Sequence, residues 1–199
     1  MPSLPEDVLR READAVLAAR PDEDGVWVFA YGALMWDDSF KADAAHSGTV
    51  AGLERSYCIW DERNRGTPAR RSLTLGLNPG PAGCAGRAMH LAETGLAEQF
   101  WTVWQHEMTG GYYDARWVTV ETEDGTLEAL TFVADPLHPL FAGPVPVQDV
   151  ADILATTSGP GGTAREYLDR TAAALTAAGV PDPALDRLVL AVAALPRAA

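Results

Sequence analysis

Residues 26–36 read VWVFAYGALMW, an apolar and aromatic run that meets a glycine. From Val26 to Tyr31 there is no charge and every side chain but Ala30 is β-branched or aromatic, the pattern of a buried strand that Gly32 halts. Upstream, Pro21-Asp22-Glu23-Asp24-Gly25 reads as a turn. Ahead of it, Ser3 and Glu6 form an S-x-x-E capping box before Val8, Leu9, Ala13, Val16 and Leu17, whose spacing predicts an amphipathic helix ending near Arg20. Residues 1–24 are therefore expected to be an N-terminal helical appendage, and residues 25–199 the main domain.

Downstream, further strands are expected at Thr49–Trp60, Ser72–Leu77 and Cys84–Leu91, separated by the turn-rich segments RNRGTPAR and NPGPAG. From Thr94 a helix carries Leu96, Phe100, Val103 and Trp104 on one stripe and stops at Gly110-Gly111. A hairpin follows, Ala115–Thr122 and Leu127–Ala134, joined through an Asp124-Gly125 turn. The Pro-rich Asp135–Pro146 is a long loop. A short helix is expected near Gln148–Thr156, and a T-x-x-E cap at Thr163/Glu166 opens a helix that Gly179 closes; Asp182-Pro183 starts the last one. Strands first and helices last indicate an α+β fold rather than a βαβ repeat.

The chain of 199 residues suffices for one domain with a hydrophobic core plus an appendage. Its 15 basic and 28 acidic residues give a net charge of −13, so nucleic acid and anionic membranes are unfavourable partners. No apolar run approaches the ~18 residues of a membrane span. The first residues lack the pattern of a secretory signal, so a cytoplasmic protein is expected. Lys41 is the single lysine and stands in no P-loop. Cys58 and Cys84 lie in apolar strand-like segments, as buried thiols of a reducing compartment would. His46, His90, His106 and His138 are scattered without ligand spacing, so neither metal nor cofactor is expected. There is no G-x-S-x-G, and Asn78-Pro79-Gly80 with Gly83 is no dinucleotide fingerprint.

Glu107 is the most informative residue. It lies eleven positions after Leu96, on the same helical face as the apolar stripe. Either it points into a pocket, where desolvation raises its pKa toward the general acid–base range, or it swings out to solvent or to an arginine. Tyr31-Gly32-Ala33-Leu34 is either a plain turn or a set of main-chain N–H groups suited to a carboxylate or a developing oxyanion. Arg65-Gly66-Thr67-Pro68 either brings a guanidinium to an anionic ligand or simply turns into the next strand.

Taken in order, VWVFAYGALMW, RGTPARRSLTLGLNPGPAGCAGRAMHL, WQHEMTGGYYDARWV and ADILATTSGPGGTAREYL resemble the ChaC family of glutathione-specific γ-glutamylcyclotransferases from about Val26 to the last helix. The resemblance implies a γ-glutamylcyclotransferase-like fold, a small mixed β-barrel with flanking helices, and makes residues 25–199 the catalytic domain. It implies Glu107 as general base and acid, and a substrate-binding set of Tyr31, Gly32, Ala33, Leu34, Arg65, Tyr113 and Tyr167, with the hydroxyls of Tyr31 and Tyr167 facing one cavity. The implied reaction cleaves a γ-glutamyl substrate, glutathione in the first place, into 5-oxoproline and Cys-Gly without metal or cofactor. Other γ-glutamyl dipeptides or amines, or a non-catalytic γ-glutamyl-binding protein on the same fold, are the alternatives. Two departures bear on substrate choice: Ala33 stands where the family usually has Ser, and His106 where an Arg usually precedes the glutamate.

Overall fold

The computed structural model describes residues 4–196. Helix α1 (Glu6–Ala18) buries Leu9 and Ala13. Its N-cap is Pro5 with no side-chain cap bond; Ser3 of the expected capping box lies outside the described residues. After the acidic turn comes β1 (Gly25–Ala30), which ends just before Tyr31 and Gly32.

The expected strand over Thr49–Trp60 is instead two strands, β2 (Ala44–Val50) and β3 (Leu53–Asp61). Gly52, at φ +74°, turns the chain between them in a conformation that L side chains rarely adopt. The two go to different neighbours. β2 pairs with β5 (Cys84–Ala92) and β6 (Tyr113–Thr122), whereas β3 pairs with β4 (Ser72–Pro79). Local pattern sees one apolar run here, and only pairing with distant strands divides it.

The order β1-β5-β2-β6-β7, with β7 at Gly125–Ala134, closes through a parallel β1–β7 pairing at Val28 and Leu130. The result is a five-stranded barrel, and β7 extends it through parallel β4 to edge strand β3. Phe29, Leu91, Leu130 and Phe132 are fully buried inside this framework. Each such side chain contributes about 1.5–3 kcal/mol relative to exposure.

Helix α2 (Leu96–Met108) buries Leu96, Phe100, Val103, Trp104 and Met108, the stripe that the sequence marks. Trp104 packs edge-on to Phe132, so the stripe faces the barrel. α1 lies against α2, with the Arg10 guanidinium 4.1 Å above the Trp101 ring. Helices α3 (Val147–Thr156), α4 (Ala164–Ala177) and α5 (Pro183–Ala193) form a second cluster beside β4. The N-caps of α4 and α5 are the expected ones, whereas α3 starts from Pro146 with no side-chain cap bond. Thr163 Oγ1 accepts from Glu166 N at 3.1 Å, and Asp182 Oδ1 accepts from Ala184 N and Leu185 N at 2.9 and 3.2 Å.

Arg55 ties the halves together. Its buried guanidinium pairs with Asp182 Oδ2 at 2.5 Å, donates to Tyr31 O at 2.8 Å and also reaches Ala85 O. One side chain thus links β3, the N-terminus of α5, β5 and the segment that follows β1. No helix among the described residues is long and apolar enough to cross a membrane.

Candidate active site

Beyond β1, Ala33–Met35 forms a single 3₁₀ turn capped by Gly32. Gly32 is required by close approach: a Cβ there would stand 3.1 Å from the Tyr167 hydroxyl oxygen. The turn is pinned to α4 from the other side. The Trp36 indole donates to Thr171 Oγ1 at 3.1 Å, packs edge-on to Tyr167 and lies 4.0 Å beneath the Arg170 guanidinium.

This turn, the end of α2, the start of β6 and the loop after β3 enclose a cavity of about 340 Å³. Glu107, Tyr31, Gly32, Ala33, Leu34, Tyr113 and Tyr167 all line it, and so do Thr74 and Tyr112. Its size suits a small molecule rather than a macromolecular segment.

Glu107 takes the inward alternative, its side chain only 12% exposed. Burial pushes its carboxyl above the ordinary carboxylate range, the His106 charge pulls it back, and Asp37 pushes it up again. His106 Nδ1 stands 2.8 Å from Asp37 Oδ2, while Nε2 lies 4.0 Å from Glu107 Oε1. The segment after the 3₁₀ turn and the end of α2 are thereby joined through one imidazole.

The phenols divide into two kinds. Tyr31 donates to Phe132 O at 2.6 Å and Tyr113 to Leu75 O at 2.5 Å, so both protons are committed to main-chain carbonyls. Tyr31 and Tyr167 line the same cavity, but the Tyr31 proton goes to Phe132 O, as a buried O–H takes a main-chain acceptor within reach. Tyr167 sits directly beneath Gly32, with its hydroxyl pushed up to about 12 by burial and restrained by hydrogen bonding with Thr74 and Leu75. Burial and then the Glu107 charge raise Tyr112 as well, so these groups stay protonated at neutral pH.

Arg65 is not brought to the cavity wall. Its buried guanidinium turns behind Tyr167, 5.9 Å from that ring, and contacts Glu166 Oε2 and Thr163 O at 3.5 Å each. Salt-bridge partners on α4 outcompete the cavity because the hairpin of β8 (Ser158–Gly159) and β9 (Gly162–Thr163) folds onto residues 64–66. Gly161 N donates to Asn64 O at 2.8 Å, and a Cβ at Gly159 would collide with the carbonyls of Asn64 and Gly66. Arg63, Asn64 and Asp61 line the cavity instead. Their only sequence signal is an aspartate followed by turn residues. Tyr112 and Asp37 were also missed; each adjoins a motif residue but carries no pattern of its own.

Among the described residues, no group of three or more His, Cys, Asp and Glu side chains is placed to hold a metal ion.

The family model for the ChaC-like protein matches residues 26–195. The chain belongs to that family. The ChaC-like chain is 35% identical over 179 residues to the glutathione-specific gamma-glutamylcyclotransferase of Escherichia coli K12, covering 89% of this chain and 77% of that protein. It is 30% identical over 180 residues to the glutathione-specific gamma-glutamylcyclotransferase 1 of Rattus norvegicus, covering 87% and 81%. Among solved structures, a yeast gamma-glutamyl cyclotransferase specific to glutathione superposes with a TM-score of 0.78 at 18% identity, covering 86% of this chain and 96% of that one. The ChaC-like chain therefore has the γ-glutamylcyclotransferase fold, and the barrel with flanking helices expected from the sequence is the one found.

Proposed function

We propose that this protein is a glutathione-specific γ-glutamylcyclotransferase, a lyase that forms 5-oxoproline and Cys-Gly, with Glu107 as its general base and acid. The observation that carries the reading is one carboxyl group, buried at the end of α2 and raised in pKa, on the wall it shares with the Gly32–Leu34 turn. The names of the E. coli and rat relatives support the choice of glutathione.

In this reading the Glu107 carboxylate takes a proton from the α-ammonium of the γ-glutamyl group. The freed amine attacks the γ-carbonyl carbon of the same molecule, a five-membered lactam closes, and the amide C–N bond to the leaving amine breaks. Two protons move in all from the attacking to the departing nitrogen, with Glu107 as carrier, and no water is consumed. The N–H groups of Ala33 and Leu34, which open a 3₁₀ turn and have no partner within it, face the task of stabilising the developing oxyanion. Because nucleophile and electrophile belong to one molecule, holding it folded supplies much of the rate. Tyr31, Tyr113 and Tyr167 shape the pocket, and Arg65 acts from behind Tyr167.

We take residues 25–199 as the catalytic domain and α1 as an appendage braced on α2. The free, buried Cys58 and Cys84 fit a cytoplasmic, reducing compartment.

The test is incubation of the purified protein with glutathione and chromatographic detection of 5-oxoproline and Cys-Gly in equal amounts. Glutamate release in place of 5-oxoproline would point to hydrolysis and overturn the reading.

A further inference from the structure

Helix α2 stops at two glycines that serve different needs. Gly111 takes φ +68°, the left-handed conformation that closes a helix, and its N–H donates to Met108 O at 3.0 Å. Gly110 lies outside that conformation, but a Cβ there would collide with the Tyr112 ring. The ring is folded back onto the last turn, and only a residue without a side chain leaves it room. It is held from other sides as well, edge-on to Tyr113 at 4.7 Å and to His138 at 5.9 Å, while Tyr112 O accepts from Asp135 N at 3.0 Å.

This packing sets the ring beside the reacting carboxyl. Glu107 and Gly110 are three residues apart, so they are neighbours on one face of the turn, about 5–6 Å apart at the Cβ positions. Both line the cavity, and the Tyr112 ring fills the space of the absent Cβ. Of the charges that bear on the Tyr112 hydroxyl, Glu107 weighs most, as that placement requires.

Of the four phenols on the cavity wall, Tyr112 is the one whose hydroxyl has no hydrogen-bond partner among the described residues. Tyr31 and Tyr113 donate to Phe132 O and Leu75 O, and Tyr167 is bonded with Thr74 and Leu75. The Tyr57 hydroxyl also lacks a partner, but it is sealed in the interior, whereas Tyr112 is half-buried on the cavity wall. Arg63, Asn64 and Gln105 are donors on the same wall, and all three are exposed.

A carboxylate that accepts and a protonated phenol that donates, side by side, match an ammonium and a carboxylate carried on one carbon. The α-carbon of a γ-glutamyl group is such a carbon. In the reaction above Glu107 takes the ammonium and the N–H groups of Ala33 and Leu34 take the γ-carbonyl oxygen, so the α-carboxylate still needs a donor next to Glu107. We propose that Tyr112 is a substrate-binding residue whose hydroxyl donates a hydrogen bond to the α-carboxylate of the γ-glutamyl group. This rests on the cyclotransferase reading and adds to it a residue that selects γ-glutamyl groups with a free α-carboxylate. Gly110 supplies the preorganisation by letting the ring lie in place before substrate arrives.

The experiment compares wild type with Tyr112→Phe, which keeps the ring over Gly110 and removes only the hydroxyl. The KM for glutathione should rise about 10- to 100-fold with kcat within about threefold, the pattern of a contact made equally in ground and transition states. 4-Aminobutyryl-Cys-Gly, which lacks only the α-carboxylate, serves as a competitive inhibitor, and its Ki should be the same for both proteins. The melting temperature should also be unchanged, because the hydroxyl has no protein partner to lose. An unchanged KM for glutathione, a Ki that rises together with the KM, or a lower melting temperature in the variant overturns the proposal alone. No 5-oxoproline from glutathione with wild type overturns the reading beneath it.

Discussion

Asp37 Oδ2 and His106 Nδ1 lie 2.8 Å apart, and this contact aims the opposite imidazole nitrogen at Glu107 Oε1. The imidazolium at that distance favours the ionised carboxylate, in opposition to burial. Removing it with His106→Gln leaves burial and Asp37 unopposed, so the Glu107 pKa rises further. The acid limb of the kcat/KM profile should move to higher pH, and His106→Arg, which keeps a cation, should return it. A profile unmoved in folded His106→Gln would separate the imidazole from the carboxyl's titration.

Glu107→Gln should lower 5-oxoproline formation by at least ~10²-fold, because the amide keeps the shape but accepts no proton. It should also stabilise the protein at neutral pH. The Glu107 carboxyl titrates higher in the folded chain than in the unfolded one, so the folded state binds more protons between the two values. Stability is full below the unfolded value and falls as pH rises through the folded one. Melting curves should place the variant above wild type at pH 7 and level with it below about pH 4. Equal melting temperatures at both pH values would contradict the burial of an ionisable group.

Gly32→Ala should impair turnover through Tyr167, whose hydroxyl a Cβ would meet at 3.1 Å. Tyr167→Phe removes that oxygen, so the alanine should cost less in the double variant than in wild type. A double-mutant cycle on kcat/KM measures the coupling, and strictly additive effects would show that the contact does not matter.

Arg55→Ala should destabilise by about 3–5 kcal/mol, since it strips a buried guanidinium from Asp182 and from the carbonyl acceptors of Tyr31 and Ala85. Urea unfolding reads this directly. A loss below about 1 kcal/mol would mean that the brace is dispensable.

The sequence by itself determined most of the elements and the helical face on which one carboxyl group stands, while its direction stayed open. Helical period places Glu107 on the face of Phe100, Val103 and Trp104, and that face has nowhere to go but the barrel. Thr163 and Asp182 cap their helices because the hydroxyl or carboxylate and the N–H groups that it serves lie within three residues. Information of this kind is local, so the chain carries it in adjacent letters. Only the tertiary structure decided that one apolar run becomes β2 and β3 in separate neighbourhoods, and that β1 closes on β7. It also decided between two arginines two residues apart: Glu166, arriving from α4, draws Arg65 behind Tyr167 and leaves Arg63 at the cavity. Strand partners and the fate of a guanidinium depend on groups about a hundred residues away, whose positions exist only once the barrel has closed.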